Sequence, residues 1–158
     1  MPINIVIQQS SDSAHIALAG SIDENAGEEF AKIAHGLPSK LVFNFRGIVA
    51  LNSFGVNAWI TFYKAICKNR SVIFEDCTPE IVTQINMTPI FRGPAVIQSL
   101  FANYECPTCA HKQQQLYVRG QNLPAASSDP LAQVHCSACG KETAMDQEPE
   151  DFFAWIDA

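Results

Sequence analysis

Leu41-Val-Phe-Asn-Phe-Arg-Gly-Ile-Val-Ala-Leu-Asn-Ser-Phe-Gly-Val56 is the stretch on which the fold of this chain turns. Leu41–Phe45 is a nearly continuous apolar run of strand length, which predicts a central strand buried on both faces. Arg46–Asn52 reads as a loop. From Ser53 the period changes. Val56, Trp59, Ile60, Tyr63, Ile66 and Cys67 follow the three-and-four spacing of a core face, so a helix is expected from Ser53 to about Lys68.

Working outward, Ile3, Ile5 and Ile7 alternate with polar residues, the signature of a half-buried strand. Ser10–Ser13 makes a turn into a second strand, His15–Gly20, so a hairpin is expected. Ser21–His35 reads as an amphipathic helix with Phe30, Ile33 and Ala34 on one face, ended by Gly36 and Pro38. Beyond the opening stretch, Ser71–Glu75 is a short strand. Thr78-Pro79-Glu80 signals a helix start, with an N-cap, proline at the first position and an acid at the positive dipole end. That helix should stop near Met87, before Pro89. Ala95–Glu105 alternates enough to favour a strand. The order β-β-α-β-α-β-α-β implies an α/β sheet with a hairpin at one side and helices crossing between mostly parallel strands.

Two matched pairs, Cys106-Pro-Thr-Cys109 and Cys136-Ser-Ala-Cys139, carry the clearest chemistry. Each gap of two residues lets both thiolates of a tight turn face one ion, and four thiolates close the tetrahedral shell of structural zinc. Gly140 follows the second pair, suited to the positive φ that turns backbone N–H groups toward sulfur. The Gly120–Pro130 stretch accounts for the long separation of the pairs as a loop. An iron–sulfur cluster uses the same four ligands, and two disulfides would need an oxidising compartment. His111 and His135 stand beside the pairs as bystanders or supporting groups. Cys67 and Cys77 read as small buried hydrophobes. The N-terminus, Met1-Pro-Ile-Asn-Ile-Val-Ile, has no basic, long apolar or cleavage-site character, which points to a cytoplasmic protein. No segment is apolar over the length of a membrane span.

The formal net charge of −6 is unevenly spread. Residues 105–158 carry three cations (Lys112, Arg119, Lys141) against eight acids, whereas residues 1–104 are nearly balanced. Phosphate binding needs clustered cations, so this ribbon is not expected to bind nucleic acid. Phe152, Phe153 and Trp155 lie among acids at the end of the chain. They form either a docking segment or a short helix packed on its own chain.

Leu41–Val56 resembles the centre of the STAS family, the anti-sigma factor antagonists of bacteria. In that family a buried strand ends near an acid, and a loop leads to Asp-Ser-Ser/Thr-Gly at a helix start. Asn52-Ser53-Phe54-Gly55 stands at the corresponding positions without a gap. Leu18-Ala-Gly20, Ser71–Glu75 and Met87-Thr-Pro-Ile-Phe91 follow the family's order, and the resemblance covers residues 3–104. It implies a STAS-like mixed sheet with crossing helices over 1–104; it does not extend to the small zinc ribbon over 105–145, read from the cysteine pairs, or to the acidic-aromatic tail over 146–158. It also implies a protein-binding regulator rather than an enzyme. Its partner would be an anti-sigma factor or kinase-like regulator, engaged at Asn52, Ser53, Phe54 and Gly55. Ser53 matches the serine that such partners phosphorylate, and a phosphate there would meet free N–H groups and a favourable dipole. Asn44 and Asn52 replace two family acids, and Phe54 a hydroxyl. Without phosphate, Ser53 would be a helix cap.

An enzyme has little support in the residues. No nucleophile elbow or glycine-rich phosphate loop occurs. His15 and His35 have no partner suggested by spacing, and Asp23 and Glu24 read as first-turn helix acids. Other readings are a nucleic-acid-associated zinc-ribbon protein and a structural subunit of a signalling assembly without a phosphoswitch.

Overall fold

In the computed structural model, which describes residues 1–158, the hairpin forms between β1 (Asn4–Gln9) and β2 (Ser13–Ile22). β2 then runs parallel to β3 (Lys40–Leu51), β3 to β4 (Ser71–Glu75) and β4 to the short β5 (Val96–Ile97), in the spatial order β1-β2-β3-β4-β5. The crossovers are α1 (Ala26–Ile33), α2 (Ser53–Ile66) and α3 (Pro79–Met87). No helix is long and apolar enough to cross a membrane.

Parallel strands added always in one direction, through right-handed crossovers, place all three helices on one face of the sheet. This corrects the expectation that β3 is buried on both faces. Leu41, Phe43 and Phe45 are fully buried under the helices, while Val42 and Asn44 on the opposite face are only half-buried. The covered face is aromatic. Trp59 of α2 meets Phe43 edge-on at 5.1 Å and stacks on Tyr63 at 5.3 Å, and its indole N–H donates to the Phe91 carbonyl at 2.9 Å. Phe62, absent from the periodic reading, is buried and stacks on Phe30, whereas Ile60 and Cys67 are only half-buried.

The expected single strand Ala95–Glu105 is broken at Gln98 into two strands of different sheets, and two further boundaries differ from expectation for one reason. β2 continues past Gly20 to Ile22, so α1 begins at Ala26 rather than Ser21. Ala19–Ile22 of β2 pairs with Gly47–Leu51, across two register shifts, so the expected loop Arg46–Leu51 is strand. Thr78 occupies the N-cap position of α3, yet its hydroxyl makes no capping bond and is buried without a partner.

At Gln98 the chain leaves the first sheet. β6 (Ser99–Glu105) lies between β7 (Lys112–Val118) and β8 (Ala144–Met145) in a second antiparallel sheet. Leu100 and Ala102 of β6 are buried in the main core, and Glu105 directly precedes Cys106, so one strand roots the ribbon in the first sheet. The tail forms α4 (Pro149–Phe152) and a 3-10 turn over Ala154–Asp157. Phe152, Phe153 and Trp155 are buried, which is the self-packing alternative. Phe153 meets Tyr117 of β7 edge-on at 5.4 Å, and Arg92 donates to the Trp155 carbonyl at 3.0 Å. A single cluster of buried side chains takes in both sheets and the tail.

Candidate metal centre and partner surface

The two cysteine turns are copies of each other. In the first, the Cys106 N–H donates to His111 O (2.9 Å) and the Ala110 N–H to Cys106 O (2.8 Å). In the second, the Cys136 N–H donates to Lys141 O (2.7 Å) and the Gly140 N–H to Cys136 O (2.9 Å). Each turn closes on a left-handed residue, Ala110 at φ 62° and Gly140 at φ 77°. A Cβ in that region costs about 1 kcal/mol that glycine avoids. Ala110→Gly is therefore expected to stabilise the ribbon by about 0.5–1 kcal/mol, read as a higher midpoint in chemical unfolding.

These turns bring the sulfurs of Cys106, Cys109, Cys136 and Cys139 within 4.8 Å of one another. Cys106 faces Cys139 at 3.6 Å and Cys109 faces Cys136 at 3.6 Å. A tetrahedron with metal–sulfur bonds of about 2.3 Å has edges of about 3.8 Å, so the cluster is the right size for one ion. The cluster favours thiolate at Cys106 and Cys136, while at Cys109 the His111 N–H is outweighed by crowding from the other three sulfurs, which pushes the thiol up to about 12. Backbone N–H groups of Cys109 and Thr108 hold the Cys106 thiol down to about 6, and the Ala138 N–H reaches Cys136 Sγ at 3.4 Å. The four cysteines can hold a metal ion. His111 lies outside the cluster, bonded to Ser137 Oγ at 3.0 Å, and His135 is exposed. Cys77 is buried, which pushes its thiol well up, and Cys67 is half-buried.

At the other candidate site, α2 is capped by Asn52 and not by Ser53. Asn52 is extended (φ −130°, ψ 173°) and its Oδ1 accepts the Gly55 N–H at 2.9 Å. Ser53 is the first residue inside the helix, exposed, with its hydroxyl free of any capping role, which corrects the cap reading. The Asn52 amide donates to Glu24 at 2.9 Å and holds that carboxyl below its usual range. Asp23 and Glu24 therefore precede α1 rather than sit in its first turn. Asp23 accepts the Asn25 N–H, and Glu24 stands beside the start of α2. Phe54 is 69 % exposed, outside the core. Gly55 has no room for a side chain, because a Cβ would lie 1.9 Å from the Ile22 carbonyl oxygen.

Asn44 has a separate use. Its amide donates to Glu75 at 3.1 Å and to Asp76 at 3.2 Å, and Glu75 also pairs with His15. An acid at position 44 would face two others, so asparagine there avoids a repulsion. Sequence spacing did not reveal this group, because the parallel register brings together residues far apart in the chain.

No protein-family model matches the chain, and no curated protein matches it. Solved structures do. An anti-sigma factor antagonist from Mycobacterium paratuberculosis superposes with a TM-score of 0.50 at 16 % identity, covering 60 % of this chain and 86 % of that one. The anti-sigma factor antagonist SpoIIAA in its unphosphorylated form gives 0.48 at 18 % identity, over 60 % and 87 %. The sheet and crossing helices of this chain therefore have the STAS fold, the fold of an anti-sigma factor antagonist.

Proposed function

We propose that this chain is a non-enzymatic regulatory module of bacterial signalling, in which residues 1–104 bind a protein partner. Residues 105–145 form a structural zinc ribbon, and residues 146–158 fasten it. The observation that carries the reading is Phe54, a large aromatic left 69 % exposed in the first turn of α2. Asn52, Ser53, Phe54 and Gly55 lie where a strand hands the chain to a helix, the part of an α/β sheet that presents ligands. The partner is of the anti-sigma factor or kinase-like class, the first in keeping with the name of the anti-sigma factor antagonist that shares the fold. Phosphorylation of Ser53 would add nearly two negative charges to this surface and weaken the contact. Four thiolates leave no open position for metal catalysis, which supports a non-enzymatic role.

Phe54→Ala is expected to weaken partner binding by about 2 kcal/mol or more, with the melting temperature unchanged. The measurement is calorimetric titration with the partner co-purified from the native host. Loss of stability without loss of affinity would place Phe54 in the core and remove the surface. Ser53→Asp tests the switch: unchanged binding, together with no phosphopeptide from the host, would leave a module without one. Tight binding of mixed DNA and RNA at low ionic strength would favour the nucleic-acid reading, against the repulsion expected from the acidic ribbon.

A further inference from the structure

We infer that β1 is a self-pairing edge: two copies of this chain join antiparallel through Asn4–Gln8, about a two-fold axis at Val6. β1 is the terminal strand of the five-stranded sheet and has β2 on one side only. Its free side can be read from the ladder. The hairpin turn bond runs from the Ser10 N–H to Ser13 O, and the register continues through Gln8↔His15, Val6↔Ala17 and Asn4↔Ala19. In an antiparallel ladder bonded pairs alternate. Asn4, Val6 and Gln8 therefore bond to β2, and Ile5, Ile7 and Gln9 turn their N–H and C=O groups outward.

Edge strands normally carry something that discourages pairing: a charge, a proline, a bulge or mere shortness. The opposite edge, β5, has only two residues. β1 is Asn-Ile-Val-Ile-Gln-Gln, six residues without charge or proline and without a register shift against β2. Val6 is 53 % exposed, and Ile5 and Ile7 are only half-buried.

Self-complementarity names the occupant. With the axis at Val6, Val6 meets Val6 of the second copy, Ile5 meets Ile7, and Asn4 meets Gln8. Within Asn4–Gln8 every pair is apolar with apolar or amide with amide, and Gln9 falls opposite Ile3, beyond the strand end. This register also sets outward-facing Ile5 against outward-facing Ile7, so two closely spaced pairs exchange both N–H···O bonds. An axis at Ile7 would oppose Val6 to Gln8 and Ile5 to Gln9. An axis at Ile5 would oppose Asn4 to Val6. The contact is short, so the dimer should be weak, with a dissociation constant of about micromolar order.

Sedimentation velocity of the full chain across the micromolar range is the test. The wild type should pass from monomer to dimer. Val6→Lys and Val6→Glu should each weaken the dimer at least about tenfold, since like charges would sit directly opposite. An equimolar mixture of the two variants should restore dimer, because Lys then faces Glu. Circular dichroism should show both variants folded, position 6 being exposed in the monomer. A wild type that stays monomeric at the highest concentration overturns the inference, as does a dimer untouched by either charge. A mixture that fails to dimerise overturns it too, and assigns the free edge to a strand from some other protein.

Discussion

Gly55→Ala is expected to destabilise the fold by about 3 kcal/mol or more, at or beyond the upper end for overpacking, because the clash is with backbone. For a chain of this size that corresponds to a fall of about 6–12 °C in melting temperature. The added methyl would lie 1.9 Å from Ile22 O, 2.2 Å from Ile22 C and 2.5 Å from Asp23 N. Neither side can yield cheaply. Ile22 is fully buried, and its carbonyl accepts the Asn52 N–H at 3.1 Å, which ties the end of β2 to the cap of α2. Gly27 is the control. A methyl there meets only Ala58 Cβ at 3.6 Å, an ordinary contact inside α1. Gly27→Ala should be neutral or stabilise by up to about 1 kcal/mol. Equal effects at the two positions in urea unfolding would contradict the close approach of α2 to β2.

Cys136→Ser should unfold the ribbon and spare the first sheet. Metal binding and folding are one equilibrium in small ribbons, where structural zinc contributes about 10–16 kcal/mol of apparent binding energy. Little else holds this one. Of the large apolar residues between Lys112 and Val134, Tyr117 is buried, Val118, Leu123 and Leu131 are half-buried, and Leu116 is exposed. With the second turn loosened, the backbone bridge between His135 and Glu142 and the Thr143 hydroxyl bond to Val134 O lose their anchor. Hydrogen exchange should show lost protection from the cysteine turns to β8, with β3 and β4 still protected. Uniform loss across both sheets would mean that the shared core, reached through Tyr104, Tyr117 and Phe153, transmits the damage.

The central strand, the three helices and the order of elements along the chain were legible because each follows from local periodicity and end signals. Phe43 and Trp59 announce their burial by position alone. What escaped was set by pairing at a distance. β2 runs on to Ile22 because Ala50 and Leu51 offer it partners, and no local signal in Ser21 or Ile22 reports that. The one-sided burial of β3 depends on the handedness of successive crossovers, a property of the whole topology. The cap at Asn52 was hidden because asparagine and serine are both good caps and stand side by side. Glu24 lies 28 residues from Asn52 and Glu75 lies 31 from Asn44, so neither pairing leaves a mark on spacing. The cysteines were legible throughout, since two short turns with matched gaps carry their geometry within themselves.

Metal analysis of the native chain, purified without added metal and paired with thiol counting, tests the metal centre most directly. A STAS-fold domain held to a structural zinc ribbon requires one equivalent of zinc, and reactivity of the four cluster thiols that appears only after chelation. Less than half an equivalent of zinc, with Cys106, Cys109, Cys136 and Cys139 recovered as disulfides, would contradict it.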